Sequence, residues 1–334
     1  MAEIDDIGIR ALALKHAVNK QMNTFDKENM IRFIVIALIL ASLNAVAQSY
    51  NYDVAVSKIK SLIGEHYIIN EKVKVICDSL GKESYKSLSP QDFVEKINRQ
   101  LQLHSQDKHL RLEHNPEYIR KVNGGVDVSK DQHTRERSTN FGFNKIEILE
   151  GNTGLLKLTY FADPENVEDL IAGSFNFLRN TDRMIVDLRG NSGGSGGMLQ
   201  KLMSVFLDER STAVLKIRYK QNTVQLKTDS VPVSSYHKPL YLLCDQNTFS
   251  AGEGFVMVLK NRKRATIIGE ATAGAGNISG PYVVDDNFII TIPVGVITDV
   301  LTGKGWEGSG VTPDVEVASK DALTKALEVI KANQ

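Results

Sequence analysis

Ser250 lies in Thr248-Phe249-Ser250-Ala251-Gly252-Glu253, between one apolar run and the start of another. A hydroxyl at such a strand-to-helix junction sits where backbone N–H groups without partners converge, and those donors can stabilise an oxyanion. The commoner use of a serine there is as an ordinary helix N-cap. Gly193 and Gly194 close the segment Asp187-Leu188-Arg189-Gly190-Asn191-Ser192-Gly193-Gly194. Lacking a Cβ, they let backbone N–H groups approach a cleft. With the N–H of Ala251 they would make an oxyanion hole, in which one donor is typically worth about 2.7 to 4 kcal/mol to a transition state. The competing use is a tight turn or a phosphate cradle, but no GxxxxGK[ST] occurs and GxGxxG fails at Leu199. Asp107-Lys108-His109-Leu110 offers a base, and Glu307, beside Trp306 in a glycine-rich segment, offers a carboxylate to orient an imidazole. Taken singly, His109 is as readily a surface histidine and Glu307 a loop carboxylate. Together these residue types are the parts of acyl transfer.

Two rival sites arise from the same residues. Gly193-Gly194-Ser195-Gly196-Gly197 satisfies G-x-S-x-G, which would make Ser195 the nucleophile of an esterase. That reading needs a histidine and an acid downstream, and the only such histidine, His237, stands in Ser234-Ser235-Tyr236-His237-Lys238-Pro239, a stretch without an acid. His104, His109 and His114 recur at five-residue steps, which suits neither an i, i+4 metal pair nor HExxH, so no metal site is expected.

The elements that must position these groups fall into two kinds. From Asp53 to about His104, Ile59, Leu62, Ile63, Val73, Ile76, Leu80, Phe93, Ile97 and Leu101 recur at helical spacing, and Ser89-Pro90 supplies a helix start. Residues 116–143 are polar, contain Gly124-Gly125 and carry few apolar anchors, which reads as a linker or mobile loop. Beyond them strand and helix patterns alternate, the signature of an α/β core. Strands are expected at Ile146–Leu149, Leu155–Tyr160, Met184–Leu188, Ala213–Ile217, Leu240–Cys244 and Thr266–Ile268, and helices at Val167–Leu178, Met198–Leu207 and Gly252–Leu259. Tyr282–Val284 and Phe288–Ile292 flank a turn at Asp285-Asp286-Asn287.

Lys plus Arg and Asp plus Glu number 40 each, so no net charge draws the chain to nucleic acid or anionic lipid. A neutral or peptide-like partner is expected. Cys77 and Cys244 have neither CxxC nor zinc spacing and read as buried thiols. Met30-Ile31-Arg32, the apolar run Phe33–Leu43 and Asn44-Ala45-Val46-Ala47-Gln48 have the form of a secretory signal peptide, too short for the roughly 20 residues of a membrane span. A signal anchor or buried helix is the other reading. The expected organisation is an extension at 1–29 ahead of the true start, a signal at 30–47, a helical subdomain at 48–115, a linker at 116–143 and the α/β core at 144–334. Export to a periplasmic or extracellular compartment follows from it.

In order, DKHL, DLRGNSGG, TFSAGE, GEATAGAG and EGSGVTPD resemble the C-terminal-processing (tail-specific) serine peptidases, most of all the branch of tricorn cores and interphotoreceptor retinoid-binding-protein-like modules. The resemblance spans roughly residues 53–317. It implies a ClpP/crotonase-like α/β core preceded by a small helical subdomain, and hydrolysis of peptide or protein substrates without a cofactor. It makes Ser250 the nucleophile, His109 the general base, Glu307 the orienting carboxylate, and Gly193 and Ala251 the oxyanion donors. Two positions depart from the family pattern. Ala275, which cannot take a proton, stands in the segment where processing proteases carry a lysine base, so a Ser-Lys dyad is not expected, and only Lys304 near Glu307 keeps that pairing open. Lys108 stands where the tricorn pattern has a serine. The polar segment after His109 leaves no room for an inserted PDZ domain. The retinoid-binding modules imply a second class of function, a non-catalytic module for an apolar ligand or peptide.

Overall fold

The computed structural model describes residues 50–207, 211–231 and 233–333. The extension and the signal-like run lie outside the described residues. Residues from Asp53 onward form one compact unit.

Among the described residues three helices come first: α1 (Tyr52–His66), α2 (Asn70–Lys82) and α3 (Pro90–Ser105). Their expected apolar stripes are the buried ones, with Ile59, Ile63, Ile76, Leu80, Phe93, Ile97 and Leu101 each fully enclosed. α3 starts as its sequence dictates, with Pro90 in the first turn and the Ser89 hydroxyl accepting the Asp92 N–H at 3.2 Å. It ends at Gln106 in a left-handed conformation, φ 56°. The chain therefore turns sharply into Asp107-Lys108-His109, and β1 (Arg111–His114) follows at once. Gln102 on the last turn of α3 clamps that corner, its amide donating to the carbonyls of Asp107 (2.7 Å) and Leu110 (3.1 Å).

The segment 116–143 is not a structureless linker. It holds α4 (Pro116–Asn123) and α5 (Val128–Ser138). Local chemistry accounts for both, since Asn115 and Asp127 accept first-turn N–H groups from Tyr118 and Ser129. Ile119 is fully buried, whereas α5 buries no residue, which is why an apolar-pattern argument passes over it.

The core is a six-stranded sheet in the order β11-β8-β7-β4-β3-β2, built from β2 (Phe143–Leu149), β3 (Thr153–Leu158), β4 (Arg183–Asp187), β7 (Leu240–Cys244), β8 (Thr266–Gly269) and β11 (Val315–Glu316). Only the β2–β3 pairing is antiparallel. Strict alternation sorts the side chains between two layers. Leu156, Val186, Leu242 and Ile267 face α6 (Glu168–Leu178), α7 (Gly196–Phe206) and α8 (Ala251–Asn261). Leu155, Ile185, Leu243 and Ile268 face Ala322, Ala326 and Ile330 of α9 (Ala322–Ala332). Since both faces are covered, these strands read as near-continuous apolar runs.

A second, antiparallel sheet has the order β1-β10-β5-β6, with β9 (Asn277–Val283) also on β10 (Phe288–Asp299). Its remaining strands are β5 (Ala213–Tyr219) and β6 (Thr223–Lys227). β1 pairs with β10 in the register Leu112↔Ile290, which fixes the corner carrying His109. The hairpin expected at Asp285-Asp286-Asn287 is present with longer arms. Among the described residues no helix is long and apolar enough to cross a membrane.

Candidate active site

β4 and β7 are adjacent parallel strands, and the loops leaving their C-terminal ends carry the glycine segment and Ser250. Ligands in open α/β sheets bind at such ends. Three hydrogen bonds stitch the loops together: Gly190 N–H to Asp245 Oδ1 at 3.0 Å, the Thr248 hydroxyl to the Leu188 carbonyl at 2.8 Å, and Phe249 N–H to the Asn191 carbonyl at 2.9 Å. Behind them the Arg189 guanidinium grips the Asp187 carboxylate with Nε at 2.8 Å and Nη2 at 2.6 Å. This pair holds the Asp187 carboxyl below its usual range against the opposing effect of burial.

Ser250 ends the turn with φ 50° and ψ −116°, a conformation that costs a side-chain-bearing residue about 1 to 3 kcal/mol and persists only where neighbours enforce it. The enforcing group is Glu253. Fully buried, it accepts the Ser250 N–H (2.8 Å), the Gly274 N–H (2.6 Å), the Ala275 N–H (2.8 Å) and the Thr272 hydroxyl (2.6 Å). Burial raises its carboxyl above the ordinary range, and those donors work in the opposite direction. The result is an elbow that turns the Ser250 hydroxyl toward His109, whose Nε2 lies 3.3 Å from Ser250 Oγ. The imidazole also packs against the Phe249 ring, centroids 4.9 Å apart. Burial, and secondarily the Arg111 charge, depress its pKa to about 4, so the ring is a neutral acceptor at ordinary pH.

Glu307 is brought to the same place. Its Oε2 accepts the Gly276 N–H (2.6 Å) and the Asn277 N–H (3.1 Å), and Trp306 beside it is sealed in, donating its indole N–H to the Ala275 carbonyl at 2.9 Å. Burial first, and then the Asp107 charge, push the Glu307 carboxyl up to about 7. The donor atoms of Asp107, His109 and Glu307 lie within 4.8 Å of one another. Asp107 accepts the His109 N–H, the Asn277 amide and the Tyr67 hydroxyl, and Glu307 Oε2 is taken twice. Among the described residues Glu307 Oε1 and His109 Nδ1 are left without a hydrogen-bond partner.

The glycine loop lies against the elbow. A Cβ on Gly193 would come within 2.8 Å of the Ser250 Cβ and 3.2 Å of the Ala251 nitrogen. The Gly193 N–H donates to Asn191 Oδ1 at 2.9 Å, so of the two expected oxyanion donors this one is already engaged. The Ala251 N–H opens α8 and belongs to the first turn, which a helix leaves without internal partners. Gly194 at φ 127° lets the loop bridge to Phe161, whose N–H and carbonyl bond Gly193 O and Ser195 N–H, each at 2.7 Å. A Cβ there would sit 2.2 Å from the Phe161 oxygen. Gly194→Ala is therefore expected to cost about 2 to 4 kcal/mol, read as a lower urea midpoint of the full chain.

Ser195 is the N-cap of α7 in ordinary extended geometry, its hydroxyl accepting the Gly197 N–H at 3.2 Å. His237 lines a cleft with Phe206, Arg262 and Leu301 that includes neither Ser195 nor Ser250. Lys304 is exposed, and Lys108 turns its ammonium to the Ala273 carbonyl. Sequence reasoning gave no role to Asp107, Asn191, Glu253 or Asn277. Asp107, Asn191 and Glu253 sat inside the motifs that carried the argument, but nothing in a linear motif shows which carboxylate collects four donors.

A serine on a strained strand-to-helix elbow, faced by a buried neutral imidazole with a carboxylate close by, on a mostly parallel sheet, defines a serine-hydrolase type of site. The model of peptidase family S41 matches residues 152–317 of the chain. The matched region contains Gly193, Ser250, Ala251 and Glu307 but ends short of His109. A carboxy-terminal-processing protease of Bartonella bacilliformis is 27% identical over 174 residues, 51% of this chain and 39% of the relative. A carboxy-terminal processing protease of Bacillus subtilis is 24% identical over 59% of this chain and 41% of its own length. The chain thus spans about two fifths of these curated relatives. Among solved structures, a lipoprotein from Streptococcus agalactiae superposes with a TM-score of 0.58 at 15% identity, covering 84% of this chain and 96% of its own. This shared fold agrees with the α/β core and preceding helices expected from the sequence.

Proposed function

We propose that the chain is an exported serine peptidase that hydrolyses peptide bonds through an acyl-enzyme on Ser250, with His109 as general base and Glu307 as orienting carboxylate. The 3.3 Å approach of His109 Nε2 to Ser250 Oγ carries this reading. His109 takes the hydroxyl proton as Oγ attacks the carbonyl carbon, then returns it to the leaving amine; water repeats the sequence to release the acyl group. Glu307 Oε1 accepts the Nδ1–H and stabilises the imidazolium. The Ala251 N–H receives the oxyanion together with the Gly193 N–H, which exchanges Asn191 Oδ1 for it. Export rests on the signal-like run at 30–47.

The test is a fluorophosphonate probe on the full chain with the adduct mapped by peptide mass spectrometry. Labelling of Ser250 supports the reading. Labelling of Ser195 instead favours the esterase, and a folded chain that takes no label favours the non-catalytic binding module. The pH dependence adds a second expectation. Glu307 stabilises the imidazolium only when ionised, and its carboxyl is pushed up to about 7. kcat/KM should therefore rise with pH through about 7, and Glu307→Gln should remove that limb from the pH–rate profile.

A further inference from the structure

Asp107 has no part in the scheme above, yet it touches the catalytic unit from behind and is only 1% exposed. Asn277 binds both acids, donating its backbone N–H to Glu307 Oε2 at 3.1 Å and its side-chain amide to Asp107 Oδ2 at 2.8 Å. Among the described residues two buried atoms of this cluster find no hydrogen-bond partner, Glu307 Oε1 and His109 Nδ1. Oε1 can serve either of two neighbours. As a carboxylate oxygen it can accept the His109 Nδ1–H; carrying a proton, it can turn that proton to Asp107, the ligand atoms of the three side chains lying within 4.8 Å of one another. Two carboxylates this close in a dry site cannot both ionise cheaply and titrate as one unit.

We propose that Asp107 is a positioning residue that shares one proton with Glu307, so that Glu307 faces His109 as a carboxylate only after this proton has left for solvent. The idea rests on the Ser250-His109-Glu307 reading for its consequence, but not for the shared proton itself. The surrounding groups set where the pair titrates. Burial raises both acids. The Lys72 charge opposes this at Asp107, and Glu253 adds to it at Glu307. Arg111 acts on His109, and the Tyr67 phenol is pushed far above its usual range by burial and the two acids, so it stays a neutral donor. A purely structural Asp107 would only fasten the His109 corner through its 3.0 Å bond from the His109 N–H.

Infrared titration of the full chain distinguishes the two. The wild type should show a carboxylic-acid C=O band persisting above pH 6 that is missing there in Asp107→Asn and in Glu307→Gln, whereas no persistent band, or an unchanged one in Asp107→Asn, overturns the proposal. Asp107→Asn retains the acceptor for the His109 N–H, and the acid limb of Ser250 labelling should fall by about one pH unit or more once the neighbouring charge is gone. An unmoved limb with reduced labelling leaves Asp107 a mere fastener. Should Asp107→Asn not fold, Lys72→Gln removes the opposing cation at the helical side and should move the band midpoint upward; no movement there also overturns the proposal. A band that behaves as expected in a chain whose Ser250 takes no label would sustain the shared proton while sinking the peptidase reading.

Discussion

Replacing His109 by alanine is expected to lower peptide turnover by about four to six orders of magnitude, with no further loss when Ser250→Ala is added. Nucleophile and base act as one unit, because a serine hydroxyl attacks only as fast as its proton is removed. Among the described residues the 3.3 Å contact is the one that joins the Ser250 hydroxyl to a side-chain base. The effect should lie in kcat, since neither group is needed to hold the substrate in its ground state. Single-turnover kinetics on an ester and a peptide would show it. If His109→Ala kept more than about a tenth of the activity, a residual far above that left by losing a triad member, a different group would have to be the base.

The second large effect is on stability. Glu253→Ala would strand the N–H groups of Ser250, Gly274 and Ala275 and the Thr272 hydroxyl. At about 1 to 3 kcal/mol for each buried donor left unpaired, the loss should exceed about 4 kcal/mol, a large part of the total stability of a domain. It would also release the elbow, since the Ser250 N–H bond is what holds a non-glycine residue at φ 50°. Urea unfolding and the rate of Ser250 labelling should therefore fall together. Glu253→Gln keeps the shape but places an NH2 against backbone N–H groups, so it should lie between alanine and wild type. An unchanged urea midpoint in Glu253→Ala would show that water replaces the carboxylate without cost.

The strands of the core were legible because burial on both faces leaves an apolar record, as at Leu240–Cys244, where the expected bounds and the observed ones coincide. Ser89-Pro90 was legible because capping is local chemistry. The helix α5 was not, because it buries nothing and rests on the Asp127 cap and on pairs such as Lys121 with Asp131. Its sequence carries no periodicity to read.

For the site, the sequence by itself determined which residue types were on offer and in what order, including Ser250, His109, Glu307 and both glycines. Only the tertiary structure decided that His109 meets Ser250 across 141 residues, that Asn277 reaches Asp107 across 170, and that the Gly193 N–H is held by Asn191. It also decided that Glu253 props the elbow while Glu307 stands beside a second acid. The reason is physical. Local propensity and capping act between residues a few positions apart, whereas desolvation, charge repulsion and hydrogen-bond satisfaction depend on neighbours that two sheets and their crossover helices bring together.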